Sequence, residues 1–278
     1  MSLVEEAKPM KGDDLSREPL LTLEGVTLQY KTREHVVTAT YKVDFQIFPL
    51  DRFVVLGPSG CGKTSILKAV GGFLEPAAGK ISLKGKQITK PGPDRMFVFQ
   101  EFDQLLPWKT VKGNIMFALT ASDKMSQRDA EERAQVYIEM VNLDKFADSY
   151  PHMLSGGMKQ RVAIARAMAT EADILLLDEP FAALDAMTRR KMQEELLRLW
   201  DKCRFTVLFV THSIEEAVII GNRVLMFSPR PGQVRAEFDC EMLGHEHTED
   251  EEFRKTCEEI RNMLFSERVE EVDRRVEE

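Results

Sequence analysis

Two groups of residues in this chain have types and spacing that suit phosphate chemistry. The first is Gly57-Pro58-Ser59-Gly60-Cys61-Gly62-Lys63-Thr64, followed by Ser65. Its glycines let the backbone turn so that successive N–H groups converge on phosphate oxygens. A helix starting there adds partial positive charge, Lys63 supplies a full one for β and γ phosphates, and Thr64 offers a hydroxyl to Mg²⁺. The second group is Asp178-Glu179, which ends the apolar run Ile174–Leu177. At the carboxyl end of a buried strand these acids lie beside such a loop. Asp178 is then placed to hold Mg²⁺, and Glu179 to orient and deprotonate an attacking water. Cys61 lies within the loop, where N–H dipoles and Lys63 are expected to favour its thiolate. Alkylation of Cys61 should then inhibit nucleotide hydrolysis, with bound ATP protecting; the alternative is a small residue that fills the turn.

These residues need a frame that holds strand ends together. Leu21–Leu28 and Val43–Phe48 alternate apolar and polar residues, as half-buried strands do. Phe53–Leu56, Met96–Phe99, Ile174–Leu177 and Thr206–Val210 are short and apolar throughout, which fits central strands covered on both faces. Helical spacing between some of them indicates a mainly parallel α/β sheet. Residues from about 101 to 170 read as a helical insertion, with Ser126 and Asp129 as a capping box before Gln127–Val141. The core is expected to end between Pro229 and Gly232. Beyond it, Glu249–Leu264 could form a helix with Phe253, Cys257, Ile260 and Leu264 on one face.

A third motif narrows the reading. Leu154-Ser155-Gly156-Gly157-Met158 resembles the LSGGQ signature of the ATP-binding-cassette (ABC) ATPases, with Met158 in place of the glutamine. Ser155 suits a helix N-cap, and the glycine pair leaves N–H groups open to an anion. The chain is similar to that family from about Leu21 to Gln233. The resemblance implies an α/β, P-loop (RecA-like) core with an inserted helical subdomain and an antiparallel β portion near the N-terminus. It divides the chain into an N-terminal extension (1–19), the cassette (20–233) and an acidic, helical C-terminal extension (234–278). It matches Tyr30 to the aromatic that stacks on adenine, and Gln100 to the glutamine that senses Mg²⁺ and the attacking water. Asp185, in Ala183-Leu184-Asp185, matches the loop that communicates across a dimer, and His212 matches the histidine near the γ-phosphate. ATP and Mg²⁺ are the implied cofactors, with Thr64, Gln100 and Asp178 toward the metal and Lys63, Gln100, Glu179 and His212 toward catalysis. Two copies then face head to tail, each nucleotide lying between one copy's phosphate loop and the other's Ser155-Gly156-Gly157.

Of the 278 residues, 43% are hydrophobic and 30% charged, which is the composition of a folded interior. No apolar run of membrane-spanning length is present, so a transport role needs separate permease subunits. The four cysteines show no paired spacing, which argues against disulfides or a zinc site and for a reducing cytosol. Net charge is −8, yet residues 237–278 alone hold 16 acidic and 6 basic residues, leaving the main body near neutral. That balance gives no support for nucleic-acid binding. Two histidines around Glu246 lie in an acidic loop, where solvation is the ordinary outcome.

Gly92-Pro93-Asp94-Arg95, Leu105-Leu106-Pro107-Trp108 and Ser228-Pro229-Arg230-Pro231-Gly232 look like the nitrate, sulfonate and taurine branch of bacterial ABC importers. That likeness implies a peripheral subunit on the cytoplasmic face of the plasma (inner) membrane. Its partners would be a second copy and two transmembrane permeases, with an extracytoplasmic binding protein acting indirectly. Exposed aromatics in the segment of Trp108 would suit docking of a permease helix; burial of Trp108 within the insertion is the alternative. A non-transport ABC ATPase acting on DNA or ribosomes is the competing class. A GTPase is disfavoured, since no Asn-Lys-x-Asp motif occurs.

Overall fold

Side chains alternate across a strand, so one sheet can carry two cores, and the central sheet of this protein does. The structure is a computed structural model describing residues 18–31, 35–121, 125–244, 248 and 250–276. Residues 1–17 of the expected extension and the histidines beside Glu246 lie outside the described residues. The first half of the chain forms β1 (Leu21–Lys31), β2 (Val36–Ile47), β3 (Arg52–Leu56), α1 (Lys63–Val70), β4 (Ala78–Leu83), β5 (Lys86–Gln87) and β6 (Arg95–Val98). Then come α2 (Val111–Thr120), α3 (Gln127–Met140), α4 (Gly156–Ala169), β7 (Ile174–Asp178) and α5 (Ala186–Cys203). The chain closes with β8 (Val207–Thr211), α6 (Ile214–Ile220), β9 (Arg223–Phe227), β10 (Val234–Asp239) and α7 (Glu251–Val276).

Strands β2-β1-β4-β5 make an antiparallel sheet, and β10-β9-β3-β8-β7-β6 make a second sheet that is parallel except for β10. Phe53, Val55, Leu176, Leu208 and Val210 point to one face, where they meet Ile66 and Leu67 of α1 and Leu21 and Ile81 of the antiparallel sheet. Phe45 stacks on Phe53 with ring centroids 5.1 Å apart and joins the two sheets. Val54, Leu56, Leu175, Leu177 and Phe209 point the other way, into a core shared with α2 through α7. Each such side chain contributes about 1.5–3 kcal/mol by leaving water.

The insertion is helical as expected. Ser126 caps α3 by accepting from Asp129 N–H and donating to its carboxylate at 2.7 Å. Fully buried Asn114 on α2 accepts from Leu106 N–H and donates to the carbonyls of Leu106, Lys109 and Thr110, which fixes the turn bearing Trp108. Trp108 itself is 69% exposed, so the burial alternative does not hold.

The C-terminal reading needs correction. The core does not end at Pro229–Gly232: β10 pairs with β9 from Val234↔Phe227 to Asp239↔Arg223, and Cys240, Leu243, Phe253, Cys257 and Ile260 join the helical core. The expected helix is present but begins at Glu251 and runs to Val276. Strand β10 reads VRAEFD. A short, charge-rich edge strand lacks the apolar run by which central strands are recognised.

Candidate functional site

The parallel register sets Leu56 opposite Thr211 and Asp178 opposite Val210, so β3, β7 and β8 end side by side. The loop after β3 therefore opens at the carboxyl edge of the sheet, where α/β proteins bind ligands. Gly62, at φ +99, opens α1; a Cβ there would lie 2.6 Å from Thr40 Cγ2 and 2.7 Å from the Ala39 carbonyl. The loop thus packs against β2 so closely that only glycine fits. No side chain caps α1, and its first turn holds no acidic residue, so its N–H groups stay available to an anion.

Hydrogen bonds and one ion pair link the candidates in three neighbouring groups. Lys63 Nζ donates to the carbonyls of Gly57 (2.8 Å) and Pro58 (3.1 Å) and lies 3.6 Å from Glu179 Oε1. Glu179 Oε2 meets His212 Nδ1 at 2.8 Å. Thr64 Oγ1 donates to Asp178 Oδ1 at 2.9 Å, across 114 residues of sequence. The Tyr30 hydroxyl lies 3.0 Å from Ser65 Oγ. Glu179 holds φ +42, a conformation that costs a non-glycine residue about 1–3 kcal/mol and is typical of functional sites.

A cavity of about 460 Å³ is lined by Tyr30, Ala39, Ser59, Gly60, Gly62, Lys63, Thr64, Ser65, Gln100, Glu179 and Arg230; Asp178 and His212 stand outside that lining, hydrogen-bonded to Thr64 and Glu179. That volume suits a ligand of nucleotide size. Burial holds the Asp178 carboxyl above its ordinary pKa, opposed by the hydrogen bond from Thr64. Thr64, Asp178 and Gln100 offer only oxygen donors or amide, the chemistry hard divalent cations such as Mg²⁺ prefer. No cluster of three His, Cys, Asp or Glu able to hold a metal occurs among the described residues, so a cation here would complete its shell with phosphate oxygens and water. The residues fit Mg²⁺ on those terms.

The expectation for Cys61 is corrected. It is buried beneath the loop beside Gly57, and burial pushes its thiol up despite the opposing charge of Lys63. Desolvation outweighs the dipoles that a sequence pattern alone brings into view.

Ser155, Gly156, Gly157 and Asp185 do not line this cavity. Ser155 Oγ accepts from Met158 N–H at 3.3 Å and caps α4, while Asp185 Oδ1 accepts from Thr188 N–H at 3.1 Å and caps α5. The two helix starts adjoin: a Cβ on Gly157 would lie 3.0 Å from Thr188 Cγ2. Hydrogen bonds from the Thr188 side chain and backbone hold the exposed Asp185 carboxyl below its ordinary pKa.

Two contributors were not legible in the sequence. Arg230 reaches the cavity from the β9–β10 turn, which Gly232 anchors by donating to the Ala39 carbonyl at 2.9 Å. Glu216, buried on α6, accepts from Thr211 Oγ1 and from Gln193 Nε2 (3.0 Å), and so steadies the residue before His212. An arginine in a turn and a glutamate in a helix carry no local mark of either contact.

The sequence model of the ABC transporter family matches residues 41–182. The chain is 47% identical over 238 residues to the taurine import ATP-binding protein TauB of Rhizobium johnstonii, covering 83% of this chain and 90% of the relative. This chain belongs to the ABC transporter family. The aliphatic sulfonates import ATP-binding protein SsuB of Bacillus cereus is 42% identical to this cassette over 214 residues, 77% of this chain and 83% of the relative. Among solved structures, the cassette superposes on the dimeric post-hydrolysis state of the ATP-binding cassette MJ0796 bound to ADP and Pi. That match has a TM-score of 0.69 and 32% identity over 79% of this chain and 98% of the other. The chain is an ABC ATPase, and a role on DNA or ribosomes is not favoured. No helix among the described residues is long and apolar enough to cross a membrane.

Proposed function

We propose that this cassette hydrolyses ATP to drive an importer of the sulfonate, taurine or nitrate type, as a head-to-tail homodimer beneath two permease subunits at the cytoplasmic face of the membrane. An extracytoplasmic binding protein would deliver the solute from the other side. The observation that carries this reading is the division of the site. Lys63, Thr64, Gln100 and Glu179 share one cavity, while the glycine turn of Ser155 stands outside it. In this reading each chain supplies both halves of a composite site, and a second copy completes them.

In this reading Tyr30 offers a face for adenine, and the N–H groups from Gly57 to Ser65 bind the phosphate chain, with Lys63 neutralising it. Phosphate must compete for Lys63 with the Gly57 and Pro58 carbonyls and with Glu179. Freed from Lys63, Glu179 can accept a proton from the attacking water. With Nδ1 protonated, His212 donates to the Glu179 carboxylate and orients the base, and only the doubly protonated ring could also donate from Nε2 to a γ-phosphate oxygen. Thr64, Asp178 and Gln100 would hold Mg²⁺, which when bound supplies Lewis-acid charge to the β and γ oxygens. Gly156 and Gly157 would complete the phosphate shell of the facing copy, with Asp185 beside them.

The test uses Glu179→Gln. Hydrolysis should fall by about 10²–10⁴-fold while MgATP still binds, and the variant should elute as a dimer with ATP and as a monomer without it. Pull-down of this variant from native membranes with MgATP should recover polytopic permease subunits. Near-normal turnover would overturn the base assignment, and recovery of only soluble partners would overturn the transport role.

A further inference from the structure

One side chain is paired to the backbone on both sides of Gln100. Gln104 Oε1 accepts from Phe99 N–H at 3.1 Å, and Gln104 Nε2 donates to the Phe99 carbonyl at 2.8 Å and the Glu101 carbonyl at 3.1 Å. The two bonds to Phe99 copy the exchange a neighbouring peptide makes with a strand, and Phe99 directly follows β6. Gln100 is thereby held between two residues that share one amide group. The same residue is tied to α4: Gln104 Nε2 lies 3.4 Å from Gln160 Oε1, and Arg166 Nη1 donates to the Gln104 carbonyl at 2.9 Å. A primary amide has two hydrogens, so the three oxygens around Gln104 Nε2 compete, and the contact to Gln160 is the longest. Gln160 is fully buried, and its own Nε2 has no hydrogen-bond partner. A buried donor left unpaired favours any rearrangement that gives it an acceptor. Arg166 thus holds the Gln104 backbone firmly to α4, while the side-chain contact from Gln104 to Gln160 is the weak member of the link.

We propose that Gln104 is a positioning residue for ATP hydrolysis, setting the backbone of Gln100 at the cavity and relating it to the orientation of α4, whose first turn carries Gly156 and Gly157. The inference rests on the role proposed above for Gln100. A residue that merely staples a surface loop would affect stability but would not act through Gln100.

The experiment compares the full-length chain with Gln100→Ala, Gln104→Ala and the double variant, measuring kcat, KM for ATP, the Mg²⁺ concentration at half-maximal rate and the unfolding midpoint. Gln104→Ala should lower kcat about tenfold and raise the half-maximal Mg²⁺ severalfold, with KM for ATP and the unfolding midpoint close to wild type. In the double variant kcat should equal that of Gln100→Ala, because the effect of Gln104 passes through Gln100. Gln104→Glu keeps the acceptor for Phe99 N–H and loses both donors, so it should be as slow as Gln104→Ala while testing the role independently of side-chain truncation. Normal kcat and Mg²⁺ dependence in Gln104→Ala would overturn the inference, as would losses that multiply in the double variant. If Gln100→Ala itself turns over normally, the role of Gln100 falls and the inference with it. If Gln100→Ala is slow and Gln104→Ala is not, the inference alone falls.

Discussion

The cavity beneath the phosphate loop and the glycine turn ahead of α4 both use a helix N-terminus, and they finish it differently. At α1 the cap position is Gly62, no side chain covers the first turn, and Lys63 adds positive charge. At α4 and α5, Ser155 and Asp185 supply the missing acceptors from their own side chains. Free N–H groups at a helix start are satisfied by caps, water or a ligand. The α1 terminus, with no cap at all, thus gains most from an anion, whereas at α4 the Ser155 cap takes the Met158 N–H and leaves those of Gly156 and Gly157 with the open approach that two glycines allow. In the proposed reading the first region binds nucleotide within one chain, and the second faces the nucleotide of a second copy.

The largest test of that contrast is Lys63→Ala. Removing the full charge beside the uncapped terminus should lower hydrolysis by about 10²–10³-fold and weaken binding of a fluorescent ATP analogue to the single chain. Gly157→Val should instead slow hydrolysis about 10- to 100-fold while leaving that binding unchanged, since the glycine turn lies outside the cavity. Mixing the two variants should restore part of the activity, because one composite site in each mixed dimer is then intact. Loss of single-chain binding in Gly157→Val, or no recovery on mixing, would break the distinction.

Smaller effects sharpen the picture of the cavity itself. Burial raises the Asp178 pKa in the folded chain, so the proton is held more tightly there than in the unfolded chain. Stability from this group is therefore greatest in acid and declines as pH rises through the folded pKa. Asp178→Asn keeps an acceptor for Thr64 and removes the charge, so its unfolding midpoint at neutral pH should exceed wild type, with the gain shrinking as pH falls. An unchanged or lower midpoint would place the balance with the hydrogen bond instead. Finally, alkylation of Cys61 at pH 8 should be at least about tenfold slower in the native chain than in the unfolded one, and should keep rising at higher pH. Mass spectrometry of labelled peptides reads this directly, and rapid native labelling would restore the thiolate expectation.

The fold class and the family were legible because their marks are local. Four residues of apolar run before Gly57 read as a buried strand, and they are one. The glycine spacing from Gly57 to Gly62 and the Ser155 cap are statements about neighbouring peptides, which sequence displays directly. The edge strand β10, by contrast, looks like a solvated tail, because its pairing to β9 rather than its composition makes it a strand. Cys61 misled for a related reason: the sequence displays the charge of Lys63 beside it but not the packing of Gly57 and Phe227 around the loop.

By itself, then, the order of residues determined which helices could start, which strands could be covered on both faces (except β6, expected to be central but placed at the sheet edge with Met96 and Phe97 half-buried), and where an anion could be cradled. Each depends on a backbone period or a glycine torsion set within a few residues. The tertiary structure decided who meets whom. It joined Thr64 to Asp178, Glu179 to His212, Arg230 to the cavity, and Gln104 to both Phe99 and Gln160. Those meetings follow from the parallel register of β3, β7 and β8, from the β9–β10 turn held on β2 by Gly232, and from the docking of α4 against β6. Such pairings between distant segments depend on the packing of the whole chain and leave no periodic trace in either segment.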